Sequence, residues 1–128
     1  MSFTLLSNNF QLQKKYPDLE IKYIEGSVLH LFTYARDLVH QGYRLITHPL
    51  SGSLKPGSIP YKTIFISRER GELDLKSLHY IENSIEAYYK TRPEIMPQWS
   101  EEMLADYAAV DLAQVEAALA SLQSGAVY

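Results

Sequence analysis

Leu19-Glu20-Ile21-Lys22-Tyr23-Ile24, then Glu25-Gly26-Ser27, then Val28 to Gly42 and Tyr43-Arg44-Leu45-Ile46-Thr47, decide how this chain is read. Leu19 to Ile24 alternate apolar and polar residues, the period-two pattern of a strand with one buried face. Val28, Leu31, Phe32, Ala35, Leu38 and Val39 recur three and four positions apart, which lays one apolar stripe along a helix. Ser27 suits the N-cap, and Gly42 suits the left-handed residue that closes the helix. Tyr43 to Thr47 then reads as a second strand. A helix of this length is the usual crossover between parallel strands, so this stretch predicts a β-α-β unit.

Working outward, Phe3 to Ser7 is a short buried strand that stops at the turn signal Ser7-Asn8-Asn9. Leu12 to Tyr16 fits a helical turn ended by Pro17. Lys62 to Ser67 is a fourth strand, and Arg68 to Gly71 turns the chain. From Asp74 on the pattern is helical. Asp74 caps a helix whose inner face is Leu75, Leu78, Ile81, Ile85 and Tyr88 or Tyr89, and Pro93 and Pro97 bracket a connector. Ser100 with Glu101 and Glu102 starts a further helix, where carboxylates meet the positive end of the dipole. Asp111 and Gln114 resemble a capping box, which suggests a break and restart, with Val115, Leu119 and Leu122 facing inward and Gly125 as the end. The expected fold is a small Rossmann-like, three-layer α/β domain: a mainly parallel sheet of about four strands, helices on both faces and a helical C-terminal part.

The 128 residues suit one domain, and 46% apolar residues supply its core. A net charge of −3 argues against nucleic acid or an anionic membrane surface as partner. The absence of cysteine removes disulfides, thiol catalysis and cysteine-held metal sites. No signal peptide and no membrane-spanning run is visible, so the cytoplasm is the expected setting.

Chemistry is expected at the carboxyl ends of the strands, where open parallel sheets bind ligands. That rim would gather Asn8, Ser27 and His48, with Ser67-Arg68 at the end of the fourth strand. Beside it runs the loop His48 to Tyr61, 14 residues with no helix or strand period. Loops of that length inside compact domains are usually functional or disordered. Ser51-Gly52-Ser53 with Lys55 could cradle an anion on backbone amides, although the Walker and nucleophile patterns are absent. The same residues could equally form a plain turn between strands. His48 suits proton transfer near neutral pH and is the one candidate catalytic residue, yet a lone histidine at a core edge is more often a hydrogen-bonded structural residue. His30, His40, His48 and His79 lack metal-ligand spacing, so neither a metal nor a cofactor is expected.

Ser7-Asn8-Asn9, Arg36-Asp37-Leu38-Val39-His40-Gln41-Gly42, Thr47-His48-Pro49-Leu50-Ser51-Gly52-Ser53-Leu54-Lys55-Pro56 and Pro60-Tyr61-Lys62 together resemble the GrdX-like proteins. The resemblance runs from Phe3 to about Leu119. It implies a cytosolic accessory role beside the glycine, sarcosine and betaine reductases, and it brings no catalytic mechanism. The family's motif falls on Asn8, Asn9, His48, Ser51, Gly52, Ser53, Lys55, Pro56, Tyr61 and Lys62. The leading expectation is a non-catalytic protein that binds a partner protein or a small anionic metabolite through the His48–Lys62 loop. One alternative is an enzyme using His48 as acid/base, with Lys55 or Lys62 stabilising an anion. Another is a structural homo-oligomer that buries Tyr88, Tyr89 or Tyr107 between copies.

Overall fold

The structure, a computed structural model, describes residues 3–52 and 55–124. In chain order its elements are β1 (Phe3–Ser7), α1 (Leu12–Lys15), β2 (Ile21–Tyr23), α2 (Val28–His40), a single 3-10 turn (Pro56–Ser58), β3 (Thr63–Ser67), α3 (Leu75–Thr91) and α4 (Glu101–Gln123). The fold is mixed α/β, with its helical part at the C-terminal end.

The sheet corrects the expectation of about four mainly parallel strands. It has three strands in the order β2-β1-β3; β2 runs parallel to β1, and β3 runs antiparallel to it. β1 is central because both its faces are apolar. Leu6 joins Ile64 and Ile66 under α2 and α3, while Leu5 joins Phe65 on the opposite face, under α1 and α4. The register Leu5↔Phe65 and Leu6↔Ile64 keeps each set on its own side, and a one-residue slip would exchange the two. Helices therefore cover both faces, and the three-layer arrangement holds. Leu31, Phe32, Ile81 and Val28 are fully buried on the first side, each contributing about 1.5–3 kcal/mol of transfer free energy.

Tyr43 to Thr47 does run beside β3, but as an interrupted edge with the single antiparallel bridge Leu45↔Ile66. Its direction therefore matches β1 and β2, although two strands separate it from β2. Ile46 N–H and Ser67 N–H keep their backbone ladder bonds, to the Phe65 and Arg44 carbonyls at 2.8 Å each, but hydroxyl side chains take the other two positions. Arg44 N–H donates to Ser67 Oγ at 2.8 Å, and Phe65 N–H donates to Thr47 Oγ1 at 3.1 Å. Leu45 N–H, which points away from β3, donates to Ser77 Oγ at 3.0 Å. Ser77 in turn donates to the Asp74 carboxylate, which caps α3 by accepting from Ser77 N–H at 3.1 Å. The sheet edge is thus closed by the first turn of α3.

Ser27 caps α2, and His30 completes a capping box by accepting from Ser27 N–H at 3.0 Å. Gly42 follows with φ +103°, as its C-terminal position requires. Two helix details differ from expectation. Leu75 is exposed, so the inner face of α3 begins at Ser77 and continues through Ile81, Ser84, Ile85 and Tyr88. α4 is unbroken through Asp111, whose carboxylate points inward to the sheet rather than capping a new helix. Gly125 lies outside the described residues. Among the described residues, no helix is long and apolar enough to cross a membrane.

Candidate functional site

The site is built where β1 ends and the long loop returns. Asn8 and Asn9 are both buried, and they tie four segments together. Asn8 donates its amide to the carbonyls of Gly26 at 3.0 Å and Pro60 at 2.8 Å, and its oxygen accepts from Lys62 N–H at 2.9 Å. Asn9 accepts from Gln11 N–H, which starts α1, and donates to the Asp111 carboxylate at 3.0 Å and to the Ala108 carbonyl at 3.1 Å. Thr63 Oγ1 donates to the same carboxylate at 2.7 Å and shares a 2.8 Å hydrogen bond with Ser7 Oγ. These asparagines are therefore fastenings of the fold rather than ligand-facing groups. No buried side-chain nitrogen or oxygen among the described residues is left unpartnered, which is the condition for a stabilising polar network.

Lys62 is the second fastening. Its ammonium is buried and donates to the Ser51 carbonyl, drawing the middle of the loop onto the strand. From the other side, Gln114 of α4 donates to the Gly52 carbonyl at 3.1 Å, and Gly52 turns with φ +79°. Lys62, Asp111, Gln114 and His48 border one cavity of about 30 Å³, room for about one water molecule, and the ammonium and carboxylate form no direct ion pair. Burial pushes the Asp111 carboxyl above its ordinary range, against the opposing pull of Asn9, Thr63 and Lys62. Burial also holds the Lys62 ammonium below the usual lysine range, with Asp111 pulling the other way.

His48 stands between that cavity and the surface. Its Nδ1 accepts from Leu50 N–H at 3.1 Å, so the neutral ring carries its proton on Nε2. Its ring lies 4.4 Å from that of Tyr80. Burial first, and the Lys62 charge second, depress its pKa below the usual histidine value. On its outer side a cleft of about 480 Å³ opens along the sheet edge, within the size range of small-molecule sites. Ile46, Tyr80 and Leu122 give it apolar walls. Arg44 and Lys76 supply two cations, neither of which forms an ion pair among the described residues. His48 lines both spaces.

The other expected positions are more peripheral. Tyr61 is half-buried and meets Phe10 edge-on at 5.7 Å. Lys55 is exposed at the start of the 3-10 turn, where Pro56 is buried. Gly57 presses on the last turn of α3, donating its N–H to Thr91 Oγ1 at 2.8 Å. Ser53 lies outside the described residues. Ser67-Arg68 sits at the opposite end of the sheet from Asn8, because β3 is antiparallel; Arg68 pairs there with Glu20 at 3.0 Å. Sequence reasoning missed Asp111, Thr63, Arg44, Lys76 and Tyr80. Asp111 had a signal: it lies four residues before Val115 on the inward stripe of α4, where a carboxylate needs partners.

The model of the family described as GrdX-like protein matches residues 4–120. The chain belongs to the GrdX-like family. The matched span runs from β1 through most of α4, so it holds the buried Asn9–Asp111–Thr63 network and every lining residue of the His48 cleft except Leu122. No curated protein and no solved structure matches the chain.

Proposed function

We propose that this GrdX-like chain is a non-catalytic, cytoplasmic accessory protein of an amino-acid reductase system, and that it holds a small anionic metabolite at His48. The carrying observation is the cleft on the outer side of His48, where Arg44 and Lys76 face a pocket with apolar walls. A neutral Nε2–H beside two cations favours a carboxylate or similar anion, and the walls of Ile46, Tyr80 and Leu122 favour an apolar body attached to it. The 48–62 loop shapes this end of the sheet because Lys62, Asn8 and Gln114 fix it in place. Family membership supports the setting beside the glycine, sarcosine and betaine reductases.

The non-catalytic reading follows from the neighbours of His48. Its Nδ1 accepts from the Leu50 backbone amide, and among the described residues no carboxylate hydrogen-bonds the ring, unlike the arrangement that activates a histidine base. The oligomer alternative loses one of its residues, since Tyr88 is buried in the chain's own core.

A thermal-shift series with acetate, caproate, benzoate and phosphate tests the proposal, using wild type and the double variant Arg44→Ala/Lys76→Ala. At ten times Kd a ligand adds about 1.4 kcal/mol, roughly 3–6 °C for a chain of this size. The expected result is a saturable rise with a carboxylate, lost in a variant whose own melting temperature is unchanged. A flat response to every anion overturns the anion reading.

A further inference from the structure

A second cleft, of about 590 Å³, adjoins the His48 cleft along the same sheet edge, and the two share Arg44, Ile46 and Asp74. Their charges have opposite signs. Beyond the shared Arg44 and Asp74, the His48 end adds the cation Lys76, whereas the far end adds the carboxylates Glu69 and Glu72. Arg44, Lys76, Glu69 and Glu72 are exposed and none forms an ion pair among the described residues, while the Lys76 ammonium lies 5.7 Å from the ring of Tyr80, a wall of the same cleft. The shared Asp74 carboxylate is already engaged in capping α3. Ile46 lies at the junction, giving the middle of the groove an apolar floor.

We infer that the groove takes a zwitterion: a carboxylate at the His48 end, an ammonium between Glu69 and Glu72, and a short apolar chain over Ile46. This deepens the anion reading of the His48 cleft and rests on it. A single α-amino acid carries its two charges on neighbouring atoms and would reach one cleft only. The class that fits is an ω-amino carboxylate, whose charges are separated along the chain. Its backbone partners are not needed, because Leu45 N–H at the edge is already taken by Ser77.

Isothermal titration with caproate and ε-aminocaproate, identical except for the terminal ammonium, separates the two claims. The expected result is that ε-aminocaproate binds at least about threefold tighter than caproate to wild type, the scale of exposed ion pairs. In Glu69→Gln/Glu72→Gln that advantage disappears while caproate binding persists. Raised ionic strength should shrink the difference as well. Equal affinity of wild type for the two probes overturns the zwitterion inference and leaves the anion reading standing. An advantage that survives the double variant also overturns it, by placing the ammonium elsewhere. Binding of neither probe overturns both. The substituted positions are exposed, and unchanged melting temperatures confirm that the variants fold.

Discussion

Asn9 at the end of β1 donates its side-chain amide to the Asp111 carboxylate of α4 at 3.0 Å, across 102 positions of the chain. The contact locks the last helix onto the first strand, and Thr63 of β3 completes it at 2.7 Å. Removing the carboxylate strands two buried donors. Asp111→Ala is expected to cost about 2–4 kcal/mol, and Asp111→Asn less, since one amide oxygen can still accept. Urea unfolding of the two variants checks both the size and the order.

The Lys62 charge acts on that carboxylate and lowers the carboxyl pKa that burial raises. Replacing it leaves Asp111 charged and less compensated. The folded pKa of Asp111 then lies further above its unfolded value, so the folded state binds the proton over a wider window and stability falls as pH rises through it. Lys62→Met is therefore expected to cost about 2–4 kcal/mol at neutral pH and less in acid, where Asp111 is protonated. The difference between unfolding curves at neutral and acidic pH measures it. A cost independent of pH would remove the electrostatic part of this account.

His48 is held below the usual histidine pKa by burial and by Lys62. Between its folded and unfolded values the unfolded chain binds the proton and the folded chain does not. Stability is therefore fully present above the unfolded value and falls as pH drops through that window. NMR titration of the His48 ring should give a midpoint below the usual histidine range, and Lys62→Met should move it upward.

Gly57 is a packing requirement for the loop. A methyl group there would stand 2.3 Å from the Tyr88 carbonyl and 2.4 Å from Arg92 N, both backbone atoms of α3 and its cap. Gly57→Ala is expected to cost about 1–3 kcal/mol by overpacking, whereas Gly71→Ala, with nothing in reach of its added carbon, should cost far less. Thermal unfolding of the pair gives the comparison.

What was legible in the sequence followed from periodicity. β1, α2 and its Ser27 cap, the Asp74 and Ser100 caps and the two-sided helical cover all follow from local patterns that the tertiary structure leaves intact. Tyr43 to Thr47 was misread as a full strand because its apolar pattern is that of a strand. The hydroxyls of Ser67 and Thr47 take two of its ladder bonds to β3, and Ser77 takes the outward Leu45 N–H. The antiparallel sense of β3 was equally invisible, since a long loop can return in either direction. At the site, the loop motif led to the end of the sheet where His48 lines a cleft. It did not distinguish Asn8, Asn9 and Lys62, which fasten the loop, from His48, which lines the cleft. Arg44 comes from the edge segment and Lys76 and Tyr80 from α3, and only packing along the edge brings them together.

The anion cleft itself is tested most directly by NMR titration of the His48 ring and the Arg44 and Lys76 side chains with caproate. Saturable shifts of all three with one Kd, absent in Arg44→Ala/Lys76→Ala for the remaining His48 signal, are the expected result. Unperturbed His48 resonances at saturating caproate, or shifts confined to residues away from the sheet edge, would contradict the account.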